Sequence, residues 1–349
     1  LHRCKYTKSI LYKNIKMNEV EKILAELEKK NYSPIYYLYG EEPFFIDVIS
    51  DYIERNVLSD DEKAFNQQIV YGKDITIDAL IHYAREYPMM AERRVIIVKE
   101  AKELNRTIAN LEPYVKNPSP TTLLVICYKY GKIDGKTKLA KELNKYVSLE
   151  SKKLYESDTL KWITKYLKDN NYTITQVASQ LLVSFLGTDL GRIANELNKL
   201  KIILPKGTEI TPSHIEENIG ISKDFNVFEL QNAIGKKEFP KAMQIIKYFN
   251  ENQKDNAMPM ITENLYQYFK KLFIYSSSIG KADAELAREM GINPFFLKDY
   301  KIAAMNYPLK KISFCMEVIK QTDLKSKGVE SGSISYYDLL KELIVKIIF

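Results

Sequence analysis

Two stretches of this sequence carry residue types that could hold a phosphate. A phosphate-cradling loop needs G-x-x-x-x-G-K-S/T, so that successive backbone N–H groups wrap the β-phosphate while Lys reaches the β/γ oxygens. YLYGEEPFFID (37–47) supplies a strand and the first glycine, Gly40. Phe45, Ile46 and Asp47 then stand where the second glycine, the phosphate lysine and the magnesium hydroxyl belong. Glu41 and Glu42 would further repel a triphosphate. VIIVKEA (95–101) has the profile of a metal-coordinating strand end, yet offers Lys99 in place of the carboxylate. The second stretch, GKIDGKT (131–137), has only three residues between Gly131 and Gly135 and follows a late strand. It reads as a polar turn with Thr137 near the start of a helix.

No other catalytic constellation is evident. There is no G-x-S-x-G elbow, no Cys–His pair and no carboxylate pair at a recognisable spacing. Asp47 and Asp51 read as a solvated helix face. Cys4, Cys127 and Cys315 have no short spacing between them, which excludes a disulfide framework and a zinc ribbon. His2, His82 and His214 form no H-x-x-x-H arrangement, so neither a metal site nor a cofactor site is expected. No apolar run approaches the roughly 20 residues of a membrane span. The expectation is a protein of a reducing compartment, cytoplasmic and away from membranes.

Elements must position whatever remains. IYYLY (35–39) reads as a buried strand, followed by a helix over 43–57 that tolerates Pro43 in its first turn. Residues 66–71 read as a strand, 77–86 as an amphipathic helix, 94–98 as a buried strand and 101–115 as a helix. The break NPSP (117–120) leads to the strand 121–128 and the helix 136–146. Strands alternating with helices indicate a mainly parallel sheet covered on both faces. After about 150 the strand signal disappears. Helices are expected at 158–170, 175–186, 188–203 and 212–219, then long amphipathic helices from 223, broken at Gly235, near 255, and at Gly280, Gly291 and Gly328. The fold class is therefore α/β plus all-α in three parts: an α/β domain (17–150), a small helical domain (151–222) and a helical bundle (223–349).

The chain has 349 residues and a formal charge of +7. Five of those units come from Arg3, Lys5, Lys8, Lys13 and Lys16, with no acid among residues 1–16. The first methionine is Met17, and residues 1–16 read as a non-native or disordered extension rather than an organellar transit segment. The α/β part holds 19 basic and 22 acidic residues, so the remaining positive excess lies in the helical parts.

IYYLYGEEPFFID (35–47), YPMMAERRVIIVKEA (87–101), TDLGRIANELNKL (188–200) and DLKSKG (323–328), in this order and spacing, resemble the delta subunit of the bacterial DNA polymerase III clamp loader. The resemblance covers essentially all of 17–349. It implies an AAA+ architecture lacking a functional nucleotide site, a helical lid and a C-terminal collar. The implied partners are the beta sliding clamp, gamma/tau and delta-prime type subunits in a hetero-pentamer, and primer–template DNA through the complex, in a nucleoid-associated replisome. Any polymerase or nucleotidyltransferase label would then belong to the holoenzyme.

In that family two adjacent apolar residues after this helix enter a pocket on the clamp. The matching segment is Tyr87, Pro88, Met89 and Met90, with Met-Met in place of the usual Leu-Phe pair. Flexible thioethers suit an irregular apolar pocket; packing under the sheet edge is the plainer alternative. Thr188 or Asp189 is expected to cap the helix that follows, with Glu196 and Lys199 pairing on one face. Lys325 and Lys327 read as loop lysines that are either simply solvated or, following the resemblance, near DNA phosphates. An active AAA+ or P-loop ATPase with a degenerate loop at 131–137 is the rival reading.

Overall fold

The computed structural model describes residues 17–222, 224–278, 280–329 and 334–349; the basic segment 1–16 lies outside the described residues. The chain divides after Leu154 into two compact units. The first runs α1 (Met17–Glu28), β1 (Ile35–Gly40), α2 (Pro43–Asn56), α3 (Asp60–Asn66), β2 (Gln67–Tyr71), α4 (Ile77–Arg85), β3 (Arg94–Lys99), α5 (Glu112–Lys116), β4 (Thr122–Lys129), α6 (Lys138–Leu143) and β5 (Val147–Ser151).

All five strands are parallel, in the order β2-β3-β4-β1-β5. Val95–Val98 and Thr122–Tyr128 are entirely buried. Continuous apolar strands are what a sheet covered on both faces requires. Their alternating side chains feed two layers. Ile35, Tyr37, Ile96, Val98, Leu124 and Ile126 join one core with Leu80 and Ala84 of α4 and Leu139 and Leu143 of α6. On α2, Ile46, Ile49 and Ile53 are buried, and this helix packs against β1, β3 and β4. The carboxyl ends of β1, β3 and β4 share one edge of the sheet, where ligands bind in open α/β folds. The segments entering β2 and β3 lie at the opposite edge.

The helix expected over 101–115 is instead two 3-10 turns, Ala101–Leu104 and Ile108–Leu111, followed by the short α5 with Pro113 at its start. Proline lacks the N–H that would continue a preceding helix. The sequence reading also ended this series with the helix 136–146 and missed β5. β5 pairs with β1 along the sheet's outer edge, Tyr36 opposite Val147 and Leu38 opposite Leu149.

The second unit, Tyr155–Phe349, is helical. It runs α7 (Glu156–Asp169), β6 (Thr173–Ile174), α8 (Gln176–Leu186), α9 (Leu190–Ile203), β7 (Glu209–Ile210), α10 (Pro212–Ile219), α11 (Val227–Gly235), α12 (Phe239–Glu251), α13 (Met258–Ser277), α14 (Asp283–Met290), α15 (Leu297–Asn306), α16 (Leu309–Ser326) and α17 (Tyr336–Ile348). β6 and β7 form a parallel pair of two residues each, too short to register as a sequence pattern. Phe249, Phe269, Tyr307, Leu340 and Leu343 centre the bundle core. Lys271 of α13 pairs with Glu156 of α7, and Asn293 Nδ2 donates to Gln176 Oε1 at 2.9 Å, joining helices from both sides of residue 223. Asp189 caps α9 by accepting from the Arg192 N–H at 3.0 Å, and Lys199 pairs with Glu196 at 2.7 Å, as the sequence suggests.

Candidate functional site

α4 is anchored by Ile77, Leu80 and Ala84 and ends at Arg85. Pro88 restricts the residue before it to extended backbone, so the chain leaves the helix and turns outward. Tyr87 is 84% exposed, Met89 is 60% exposed and Met90 is fully exposed. Packing of the methionines under the sheet edge is therefore excluded. Met90 adopts φ +52°, a left-handed conformation that costs a non-glycine residue roughly 1 kcal/mol.

Hydrogen bonds from elsewhere in the unit hold this turn. Asn66, the last residue of α3, is 1% exposed. Its Oδ1 accepts from the Met89 N–H at 2.7 Å and its Nδ2 donates to the Met89 carbonyl at 2.8 Å. The same Nδ2 also donates to the Glu62 carbonyl at 3.1 Å. Arg94, the first residue of β3, pairs with Glu86 at 2.6 Å, and its Nη1 donates to the Phe65 carbonyl at 3.5 Å. Sequence reasoning did not find Asn66 or Arg94, whose bonds to Met89 and Phe65 span 23 and 29 positions.

At the other edge, the turn after β1 is occupied by its own neighbours. Gly40 has φ +129°, and a Cβ there would run into the Ser151 carbonyl. The Glu42 N–H donates to Ser151 O at 3.1 Å, and Ser151 Oγ donates back to Glu42 O at 2.6 Å. The Phe44 N–H donates to the Glu42 carboxylate at 3.1 Å, capping α2. These N–H groups, at the place where a phosphate would be cradled, are already committed.

The charges around the turn are inverted relative to a nucleotide site. Asp47 sits where the magnesium hydroxyl would be and pairs with Lys129 of β4 at 2.6 Å. Lys99 sits where the metal carboxylate would be and pairs with Glu54 of α2 at 3.1 Å. Burial works against the charged Lys99, but the hydrogen bond to Glu54 together with the charges of Glu54 and Asp51 outweighs it and raises the pKa. Burial raises the carboxyl of Asp51 above the ordinary value despite nearby Lys99 and Arg55. The solvated helix face expected for Asp47 and Asp51 is corrected to a half-buried ionic cluster. Beneath it, burial pushes the Cys127 thiol up to about 12.

The stretch 131–137 is a closed polar turn. Thr137 caps α6 by accepting from the Ala140 N–H at 3.2 Å and donates its hydroxyl to Asp134 O at 2.7 Å. The Lys136 N–H is taken by Asp134 Oδ1 at 3.0 Å.

Lys325 and Lys327 do not lie in an open loop. Lys325 belongs to the last turn of α16 and pairs with Glu342 at 3.1 Å; Lys327 caps that helix and pairs with Asp323 at 2.6 Å. Hydrogen bonds from Lys346 and Lys325 hold the Glu342 carboxyl below its ordinary value. Among the described residues, no cluster of three His, Cys, Asp or Glu side chains could hold a metal ion, and no helix is long and apolar enough to cross a membrane.

Residues 36–153, which contain the apolar turn and the ion-paired edge, match the family model described as DNA polymerase III, delta subunit. DNA polymerase III subunit delta of Bacillus subtilis (strain 168) is 26% identical over 318 residues, covering 87% of this chain and 91% of that protein. The solved structure of the Bacillus subtilis DNA clamp loader delta protein shares the fold, with a TM-score of 0.55 and 23% identity over 94% of this chain and 99% of that one. Over residues 36–153 by family model, and over most of its length by sequence, the chain is similar to delta subunits of DNA polymerase III.

Proposed function

We propose that this chain docks on the beta sliding clamp through Tyr87, Pro88, Met89 and Met90 and holds the clamp open for loading onto primed DNA, without hydrolysing ATP. The observation that carries this reading is the exposure of Met89 and Met90 on a turn fixed by hydrogen bonds from the buried Asn66. Each apolar side chain taken fully into a partner pocket contributes about 1.5–3 kcal/mol. The pair therefore supports a specific grip in a domain whose basic and acidic residues, 19 and 22, nearly balance.

The mechanism is mechanical. The sheet is a rigid mount, its ion-paired edge favours a role without nucleotide chemistry, and ATP bound to gamma/tau type neighbours would set when the tip is presented. In this reading 17–150 is the clamp-gripping domain, 151–222 the lid and 223–349 the collar that joins gamma/tau and delta-prime type subunits in a hetero-pentamer at the cytoplasmic replisome. Lys325 and Lys327 are its DNA-facing candidates, and each would exchange an acidic partner for a phosphate. Polymerase activity would reside in the holoenzyme.

The deciding experiment is surface plasmon resonance of the full chain against the organism's own sliding clamp. Met89→Ala/Met90→Ala should weaken binding at least ~100-fold, since 1.4 kcal/mol is tenfold, while leaving circular dichroism and loader assembly unchanged. Undiminished affinity in this variant would overturn the assignment.

A further inference from the structure

We infer that Asn66 is the positioning residue of the docking turn: its carboxamide holds both backbone groups of Met89 and so presents Met89 and Met90 to the partner. This inference rests on the reading of Tyr87–Met90 as the docking element.

The turn has no regular backbone partners of its own. Residues 86–93 belong to no helix or strand, and Pro88 contributes no N–H. Neither backbone group of Met89 is in a ladder. Both are instead satisfied by one side chain 23 positions earlier, with Oδ1 on the N–H at 2.7 Å and Nδ2 on the carbonyl at 2.8 Å. A neutral carboxamide offers a donor and an acceptor in one plane, and the shorter Asn reaches from the end of α3 without spare rotamers. At 1% exposure the carboxamide itself is shielded from water, which strengthens its part-buried bonds to Met89.

The next residue, Met90, sits at φ +52° and is fully exposed. Its local preference opposes that conformation, and its side chain has no packing to hold it there. The restraint must come from the adjacent peptide, which is the one Asn66 grips. Arg94 assists by tying Glu86, just before the turn, to the Phe65 carbonyl, just before Asn66. Without the carboxamide, the turn would sample many conformations, and docking would have to order it at the moment of contact.

The test uses the full chain and the purified sliding clamp. Asn66→Ala should weaken binding about tenfold, the loss expected for one bidentate hydrogen-bonded pair, and should abolish the hydrogen-exchange protection of the Met89 amide. In the Met89→Ala/Met90→Ala background the same substitution should change affinity no further, a non-additivity that a general loss of stability would not produce. Asn66→Asp should bind weakly at alkaline pH, because the carboxylate cannot donate to the Met89 carbonyl. It should recover as the pH falls and the protonated acid regains a donor, while the unsubstituted chain shows no such recovery. If Met89→Ala/Met90→Ala loses binding but Asn66→Ala does not, or if Asn66→Asp shows no recovery in acid, the positioning role is overturned and the docking reading stands. If Met89→Ala/Met90→Ala binds normally, the docking reading itself falls.

Discussion

Lys99, at the end of β3, lies 3.1 Å from the carboxylate of Glu54 on α2, an ion pair spanning the gap between strand end and helix. Both side chains are about three-quarters buried, with 28% and 27% of their surface exposed. Removing one partner strands the other charge. Glu54→Ala should destabilise the chain by roughly 1–3 kcal/mol. The double variant Lys99→Met/Glu54→Leu should recover most of that loss, as read from urea unfolding midpoints.

The carboxyl of Asp51 offers a pH-dependent counterpart. Its pKa in the folded chain is raised above the ordinary 3.8, with burial as the principal cause. A carboxyl with a raised folded pKa destabilises the fold wherever it is ionised, and that penalty vanishes below the unfolded pKa. Asp51→Asn should therefore stabilise the protein at neutral pH, by less than about 1 kcal/mol at a half-buried, solvent-screened site. The advantage should disappear as the pH falls through the raised folded value toward 3.8. Thermal melts across that range check both the sign and the window.

Nucleotide should find little to hold. With the Glu42 and Phe44 N–H groups committed to Ser151 and the Glu42 carboxylate, and Lys99 in the metal position, titration with a fluorescent ATP analogue should show no saturable binding at millimolar nucleotide. Lys136→Ala should leave that result unchanged. Saturable binding lost on Lys136→Ala would instead favour an active ATPase using 131–137.

In the bundle, Gly235 closes α11 against Tyr268 of α13, where a Cβ would collide with the phenol oxygen. Gly235→Ala should cost about 1–3 kcal/mol, the usual penalty of overpacking. Tyr307→Phe should cost up to about 1 kcal/mol by removing the phenol donor, 2.9 Å from the Ile234 carbonyl, which keeps the Lys237 N–H as its other partner. Guanidinium unfolding monitored by tyrosine fluorescence measures both.

The central sheet was legible because burial on both faces forces uninterrupted apolar runs, as in RVIIV and TTLLVICY. β5 escaped notice because an edge strand is half exposed, and VSLES alternates too briefly to stand out. The Tyr-Pro-Met-Met segment was singled out by the family resemblance, and nothing local distinguished exposed methionines from packed ones. What decides their exposure is Asn66, tied to Met89 across 23 positions with no periodicity to betray it. The pairing of Asp47 with Lys129 spans 82 positions and was invisible for the same reason. Periodicity reports which face of an element is buried; it carries no information about which polar groups meet across the fold.

Ser151 at the end of β5 has a consequence for how such a chain can change over generations. It fills the space a Cβ on Gly40 would need and exchanges hydrogen bonds with Glu42 in both directions. Opening a phosphate cradle there would require β5 to withdraw, Asp47 and Lys99 to be replaced, and their partners Lys129 and Glu54 to be neutralised together. Each step alone breaks an existing contact and brings no ligand in return. The plugged turn thus acts as a lock with several bolts, which no single substitution opens.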